Sequence, residues 1–172
     1  MTSRAVPFIL LVATIGLCSA VGATARAEEG NLAALAAAMM NATATLQGGL
    51  KASEAQGTPI SAKFEIEDGK LQLSVYTMKG DSFTEVVADP NTGAIKEAET
   101  IKDADDLKEA TEQKAAMAKA KVPLLTAAET AINANAGFRA VSIYPKLQSG
   151  NPMAEVTLLQ GVTFKKVTEK LD

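Results

Sequence analysis

The first half of the chain shows helical spacing of apolar residues followed by strand-like alternation. Apolar residues recur three or four positions apart between residues 32 and 50, which predicts an Ala-rich amphipathic helix. Gly-Thr-Pro at 57–59 ends this helix. Apolar and polar residues then alternate at 63–67 and at 71–75, which predicts two strands that each have one solvent-exposed face. Asp-Gly at 68–69 favours a hairpin turn between them, because glycine adopts positive φ at little steric cost.

Two further strands are predicted before residue 100. A third strand covers residues 83–88, after a turn at Gly80-Asp81. The next turn is Asp89-Pro90-Asn91-Thr92-Gly93, in which the proline presets φ and the glycine accepts the left-handed conformation. A short fourth strand follows from Ala94 to about Ala98.

The second half of the chain has the same order of helix and strands. Thr126-Ala-Ala-Glu129 is a capping box that opens a helix, and Gly137 ends it. Strand-like alternation then follows at 141–147, at 154–158 and at 162–167. We therefore expect three strands in this half.

A shift of the chain by 81 residues places the two halves in register. Five identities occur within the 19 positions from Gly69 to Val87, where chance gives about one or two. The matched pairs are Gly69 with Gly150, Val75 with Val156, Gly80 with Gly161, Phe83 with Phe164, and Val86 with Val167. This repeat predicts a tandem pair of related units.

A charged stretch separates the two copies. Acidic residues cluster at the start of residues 103–121 and lysines at the end, which suits a helix dipole, and the apolar stripe is thin. We therefore expect a mostly exposed connecting helix at 101–123. The predicted fold class is α+β, with two tandem units at 28–100 and 124–172, each a helix packed on a small antiparallel sheet.

The first unit resembles the PepSY domain. The resemblance rests on an Ala-rich helix, a terminal glycine, hairpin strands and the segment Val86-Val-Ala-Asp-Pro-Asn-Thr-Gly-Ala-Ile95. It covers residues 31–98, whereas the second unit resembles the family from 125 to 172 and lacks the Thr-Gly turn. The family is known from propeptides of secreted metallopeptidases and from bacterial envelope proteins, and it is proposed to restrain peptidases. The resemblance implies a helix on an antiparallel sheet and transfers no catalytic residues.

The amino terminus predicts export. Arg4 precedes an apolar run at residues 8–17, and Ala25-Arg26-Ala27 has the small-x-small pattern of a signal peptidase site. The run is shorter than the roughly 20 residues that span a bilayer, which disfavours an uncleaved anchor. Bulky Leu17 before Cys18 disfavours a lipidation signal. We expect cleavage after Ala27 and a periplasmic or secreted protein without a membrane span.

Composition excludes several classes of chemistry. Removal of residues 1–27 leaves 145 residues with a net charge of −5, no histidine and no cysteine. A histidine base, a thiol nucleophile, a disulfide and His or Cys zinc ligands are therefore excluded. One arginine and few aromatic residues remain in an acidic chain, which argues against nucleic-acid binding. We expect no cofactor, no metal and no enzymatic activity.

The candidate interaction surface consists of strand carboxylates and the two tyrosines. Its members are Glu65, Glu67, Asp68, Tyr76 and Tyr144. Glu65 and Glu67 lie two residues apart and should share one face of a strand, where exposed carboxylates commonly serve solvation and edge protection. Catalysis by this carboxylate pair is a less favoured alternative, since it needs a second carboxylate across a cleft.

We interpret the protein as a non-enzymatic module that binds a protein partner and restrains or regulates a peptidase or another envelope protein in trans. The alternative is a protein that binds or senses a small ligand in an apolar pocket between helix and sheet. The edge of the last strand also suggests a homodimer.

Overall fold

The computed structural model describes residues 31–172. The predicted signal peptide at 1–27 lies outside the described residues. The helices are α1 (31–39), α2 (Leu46–Ser53), α3 (Ala104–Met117) and α4 (Leu124–Asn133). The strands are β1 (Thr58–Glu67), β2 (Lys70–Lys79), β3 (Ser82–Ala88), β4 (Ile95–Thr100), β5 (Arg139–Gln148), β6 (Asn151–Gln160) and β7 (Thr163–Lys170).

All seven strands form one antiparallel sheet in the order β4-β3-β2-β1-β5-β6-β7. The prediction of two tandem units with separate small sheets is therefore wrong. The sheets merge because β1 and β5 pair with each other, with Ala62 opposite Ile143 and Lys63 opposite Ser142. This short pairing joins the central edges of the two hairpins, so β1 and β5 are interior strands of the sheet.

The repeat in the sequence has a direct counterpart within this single sheet. Strands β1 and β2 lie 81 residues before β5 and β6, and both hairpins have the same register. Each hairpin also has an irregularity at the corresponding place, between Pro59 and Ser61 in β1 and between Ala140 and Ser142 in β5. Strand β4 extends the first group, and no described strand takes the equivalent place beside β7.

One face of the sheet carries the main core and is covered by α1, α2 and α4. Strand alternation explains its composition, since every second residue of the central strands points to this side. Among its fully buried members are Leu46, Leu50, Leu73, Val75, Val86, Val141, Ile143, Val156 and Leu158. Gly49 is required for close packing here, since a Cβ at this position would lie 2.4 Å from Cδ2 of Leu73.

Helix α3 packs on the opposite face and is more than an exposed connection. Ala110, Gln113 and Ala116 on its inner side are buried, while most of its other residues are exposed. Asp103 caps its first turn by accepting hydrogen bonds from the backbone N–H groups of Asp105 and Asp106. The prediction that a charged helix joins two separate units is corrected, because this helix lies across the strands of one shared sheet.

Two helix boundaries also differ from the sequence prediction. The helix predicted for residues 32–50 is divided into α1 and α2 by a non-helical segment at 40–45. Thr45 begins α2 by accepting a hydrogen bond from the N–H of Gly48. Helix α4 begins at Leu124, after Pro123, two residues before the predicted capping box. Pro123 is the N-cap residue and has extended backbone angles, so its missing N–H removes no hydrogen bond of the helix.

Candidate functional site

The α3 side of the sheet gathers the polar residues that strand alternation excludes from the main core. Lys63 and Glu65 of β1 point to this side, as do Ser74 of β2, Glu85 of β3 and Tyr144 of β5. They meet because β1 is the central strand of the sheet and has β2 and β5 as its neighbours. This arrangement could not arise in two separate units.

Lys63 is the central cation of this group. Its Nζ lies 2.7 Å from a carboxylate oxygen of Glu65, and both side chains are half-buried. Burial opposes the charge on Lys63, but the surrounding Tyr144, Glu65 and Glu109 outweigh it and raise the pKa of the lysine. Lys63 is therefore a fixed positive charge and does not supply a neutral amine for nucleophilic chemistry.

The two tyrosines lie on the same face but in different environments. Tyr76 is only 7% exposed, and its hydroxyl donates a 3.0 Å hydrogen bond to Oδ1 of Asp106 in α3. Tyr144 is half-buried, and burial raises its pKa to about 12, with Glu109 and Glu65 adding to the effect and Lys63 opposing it. Tyr76 therefore holds α3 to the sheet and is buried. Tyr144 is partly exposed to solvent beside α3.

The remaining predicted surface residues lie at and near the β1–β2 turn. Glu67 and Asp68 are exposed, and Asp68 has a positive φ of 49° in the turn with Gly69. Gln72 of β2 donates hydrogen bonds to both Glu65 and Glu67, which orients the two carboxylates on the same face. Four of the five predicted surface residues are thus at least partly accessible, and Glu65, Glu67 and Tyr144 share one side of the sheet.

Three further glutamates extend this side toward the β4 edge. Glu97 and Glu99 of β4 are exposed, and Glu99 lies directly opposite Glu85 of β3. Burial raises the pKa of Glu85, the Ser74 hydroxyl lowers it through a hydrogen bond, and the charge of Glu65 raises it. We define the acidic face as Glu65, Glu67, Glu85, Glu97 and Glu99.

Like charges opposite each other destabilise a sheet, so the acidic face is held together at a cost in stability. Among residues 31–172, the ion pair of Glu65 with Lys63 is the one salt bridge that a glutamate of this face makes. Sequence reasoning identified Glu65 and Glu67 and missed the other three. The glutamate of β3 and the two glutamates of β4 are visible in the sequence, but the pairing of β2 with β3 and of β3 with β4 decides that they share a face with Glu65.

An apolar cleft lies at a separate place, between α2, α4 and the start of β1. Its volume is about 320 Å³, which is at the lower end of ligand pockets. Leu50, Pro59, Met117, Leu124 and Leu125 contribute to its lining, with Glu54 as the charged residue. The lining thus comes from α2, the end of α3, α4 and β1, and the binding of a ligand here stays a prediction.

Sequence reasoning also missed a structural role for Arg139, the single arginine that remains after residue 27. Its guanidinium donates hydrogen bonds to the carbonyl oxygens of Ala42 and Ala44 at 2.8 and 2.6 Å. The guanidinium carbon also lies 5.7 Å from the centre of the Phe64 ring. Burial lowers the pKa of Arg139, which nevertheless stays charged.

The turn at 89–93 has the conformation that its sequence predicts. The Asp89 carboxylate accepts hydrogen bonds from the N–H groups of Asn91 and Thr92 and pairs with Lys96 at 2.6 Å. These interactions hold the pKa of Asp89 well below its usual range, with the Lys96 hydrogen bond as the largest cause. Within residues 31–172, no group of three or more acidic residues is arranged to hold a metal ion.

Comparisons with known proteins assign no family to the chain. No known family profile matches the sequence, and no curated protein matches it. Among solved structures, the chain is similar to a candidate lipoprotein from Clostridium difficile, with 16% sequence identity and a TM-score of 0.35. The match covers 69% of this chain and 87% of that chain. At this TM-score the likeness carries no conclusion about fold or function, and the PepSY resemblance stays a prediction.

The part of the chain from residue 31 onward contains no helix with the length and hydropathy of a membrane span.

Proposed function

We propose that this protein is a non-enzymatic interaction module of the bacterial periplasm, and that its acidic face binds a protein partner. The observation that carries the proposal is the arrangement of the acidic face. Five carboxylates from three strands are held on one side of the sheet, and all six residues of β4 are exposed. The complementary partner surface is rich in lysine or arginine.

The rigidity of this surface favours binding over catalysis. The carboxylates lie on paired strands and are not placed across a cleft, as hydrolytic carboxylate pairs are. Tyr76 and Asp106 hold α3 in place beside them. The backbone that carries these carboxylates is already ordered, so it loses little further conformational entropy when a partner binds.

The proposed location and regulatory role come from the sequence. The signal-like residues 1–27 support export to the periplasm, and the PepSY resemblance supports restraint of a peptidase in trans. Restraint would follow if the acidic face covered a basic surface near the substrate entrance of such an enzyme.

Capture from a periplasmic extract tests the binding surface. The triple variant Glu67→Gln, Glu97→Gln, Glu99→Gln removes three exposed charges from the acidic face. The matched control Glu54→Gln, Glu112→Gln, Glu129→Gln removes three exposed charges from other places. We expect the wild type and the control to retain the same partner, which the triple variant loses and which salt displaces. Equal capture by all three proteins would exclude the acidic face, and no partner with any of them would contradict the proposal.

Peptidase regulation has a separate measurement. Addition of the purified protein to a periplasmic extract should lower the cleavage of an unstructured protein substrate, and the triple variant should lower it less. Unchanged proteolysis together with a captured partner would exclude the peptidase role and leave the binding role in place.

The apolar cleft supports a second candidate function, which is the binding of a small apolar ligand. Native mass spectrometry of protein purified from the periplasm should then show a bound mass. Leu125→Trp would fill part of the cleft and should abolish that mass, while Leu147→Trp, at an exposed position away from the cleft, should preserve it. A mass equal to that of the chain alone would contradict this candidate.

A further inference from the structure

The two edges of the sheet differ in how well they could accept another strand. Strand β4 has six residues and a register shift where Val87 and Ala88 pair with it, and both features are common protections of an edge. Strand β7 has eight residues and pairs with β6 without any shift, from Gln160 and Thr163 to Met153 and Lys170. Among residues 31–172, no strand pairs with its outer side.

The outer side of β7 presents the backbone groups of its even-numbered residues. A two-residue turn joins β6 to β7, so Gln160 and Thr163 form a hydrogen-bonded pair and the odd-numbered residues of β7 face β6. The same pattern predicts that the next odd-numbered residue, Leu171, also faces β6. Its N–H donates a 3.0 Å hydrogen bond to the carbonyl oxygen of Pro152, as this pattern requires. Residues 164, 166, 168 and 170 therefore direct their N–H and C=O groups outward.

We propose that the outer edge of β7 binds β7 of a second copy of this chain, antiparallel, with Val167 of both copies on the two-fold axis. Lys165 of each copy then lies opposite Glu169 of the other, and this ion pair occurs twice. Lys166 lies opposite Thr168, and both residues direct their backbone groups outward as a hydrogen-bonded pair requires. Val167 meets its own counterpart as a pair of β-branched residues.

The charges of β7 disfavour the neighbouring registers. A two-fold axis at Lys166 would place that lysine opposite itself in the other copy. An axis at Thr168 would place Lys166 opposite Lys170. Lysines on an edge strand oppose pairing with other chains, and here they leave the register centred on Val167 as the one with complementary charges.

The molecule already contains a junction of this kind. Ala62 of β1 and Ile143 of β5 are equivalent positions of the repeat, and they lie opposite each other in an antiparallel pair. The proposed dimer repeats this arrangement between two identical strands and continues both sheets into one. Lys165 also contacts Oδ1 of Asn135 at 2.6 Å, which leaves two of its ammonium hydrogens for the partner's carboxylate.

Charge exchange tests the register in solution. Sedimentation velocity over a range of protein concentrations should show a monomer–dimer equilibrium for the wild type. Lys165→Glu alone and Glu169→Lys alone place like charges opposite each other, and each should weaken association about tenfold or more. The double variant K165E/E169K restores opposite charges and should recover the dimer. Circular dichroism of each variant verifies that it is folded.

Cysteine cross-linking tests the same register by geometry. All variants carry Cys18→Ser, which removes the one native cysteine. Val167→Cys should form a disulfide-linked dimer under mild oxidation, because its two copies face each other in a non-hydrogen-bonded pair. Lys166→Cys and Thr168→Cys are matched controls on the same strand and should remain monomeric on a denaturing gel.

Three results would overturn the proposal. The first is a monomer at every concentration, and the second is a dimer that neither single charge reversal weakens. The third is faster cross-linking by either control cysteine than by Val167→Cys, which would assign another register. The contact involves β7 and not the acidic face, so the triple variant of the acidic face should dimerise like the wild type and the two proposals can fail separately.

Discussion

The guanidinium of Arg139 donates a 2.6 Å hydrogen bond to the carbonyl oxygen of Ala44, which lies 95 residues earlier in the chain. A second hydrogen bond, to Ala42, fixes the same segment between α1 and α2. Arg139 is the first residue of β5, so this contact ties the helical layer to the strand that joins the two halves of the sheet. Its partners are neutral carbonyl groups, and its contribution depends on the planar fork of donors more than on charge.

Arg139→Lys should therefore destabilise the protein although the charge is kept. We expect a loss of about 1–3 kcal/mol in the free energy of unfolding, because lysine cannot donate in parallel to both carbonyl oxygens. Urea denaturation measures this loss as a lower midpoint at an unchanged m-value. The control is Lys102→Met at an exposed position, which should change stability by less than about 0.5 kcal/mol. Equal midpoints for both variants would contradict the role of the fork.

Glu85→Gln should stabilise the protein at neutral pH. The pKa of Glu85 is raised in the folded state, so its contribution to stability is present below the unfolded pKa and is lost as pH rises through the folded pKa. Glutamine resembles the protonated form and can still accept the hydrogen bond from Ser74. The variant should be more stable than the wild type at about pH 7 and similar to it at about pH 4.

Urea midpoints at the two pH values measure this difference for Glu85→Gln. Glu97→Gln is the matched control, since it removes the same charge from an exposed position of β4. A gain that is equal in both variants would show that the burial of Glu85 is not its cause.

The two tyrosines should ionise at higher pH than free tyrosine does. Burial raises the pKa of Tyr144 to about 12 and that of Tyr76 further. The phenolate absorbance of the folded protein should therefore stay low at about pH 10.5, while in concentrated urea both residues should titrate near pH 10. Because both folded pKa values are raised, the contribution of the two tyrosines to stability is fully present below about pH 10. This contribution is lost as pH rises through the folded pKa values.

Tyr144→Phe identifies the first of these transitions. The variant should lose the step near pH 12 and keep the later one from Tyr76. If half of the tyrosine absorbance of the folded wild type appears near pH 10, the proposed burial of Tyr144 beside Glu109 does not exist in solution.

Gln113→Met should raise the stability of α3 on the sheet. Gln113 is 3% exposed, and its Oε1 has no hydrogen-bond partner among the described residues, while its Nε2 donates to Glu109. A buried carbonyl without a partner costs about 1–3 kcal/mol, and methionine has a similar shape without this cost. We expect a gain of about 1 kcal/mol in urea denaturation. Glu112→Met, on the exposed side of the same helix, is the control, and a larger gain there would contradict the explanation.

Local patterns predicted much of the secondary structure, because they report which side of an element faces a core. The alternation around Phe64 placed Phe64 inside and Lys63 on the other side, and the structure agrees. The turn at Asp89 was also predictable, since its geometry depends on the side chains of the turn itself. The break between α1 and α2 was not, because a residue far away in the chain, Arg139, stabilises the carbonyl groups there.

The candidate site was predictable to the extent that it depends on single strands. Glu65 and Glu67 share a face because they lie two residues apart, and this follows from strand geometry alone. Their proximity to Glu85 depends on β2, which lies between β1 and β3, and that of Tyr144 to Lys63 depends on the β1–β5 pair. Tyr76 was expected at the surface, and its hydrogen bond to Asp106 shows why it is buried.

By itself, the sequence determined the order of the seven strands, the core side of the central strands and the 81-residue repeat that relates the two halves. Only the tertiary structure decided that these halves share one sheet and that α3 lies across it. The spacing of apolar residues shows which side of a helix or strand is buried, and this can be read from each element separately. Which strands become neighbours depends on contacts between residues far apart in the chain, so the pattern within one strand does not show its partner.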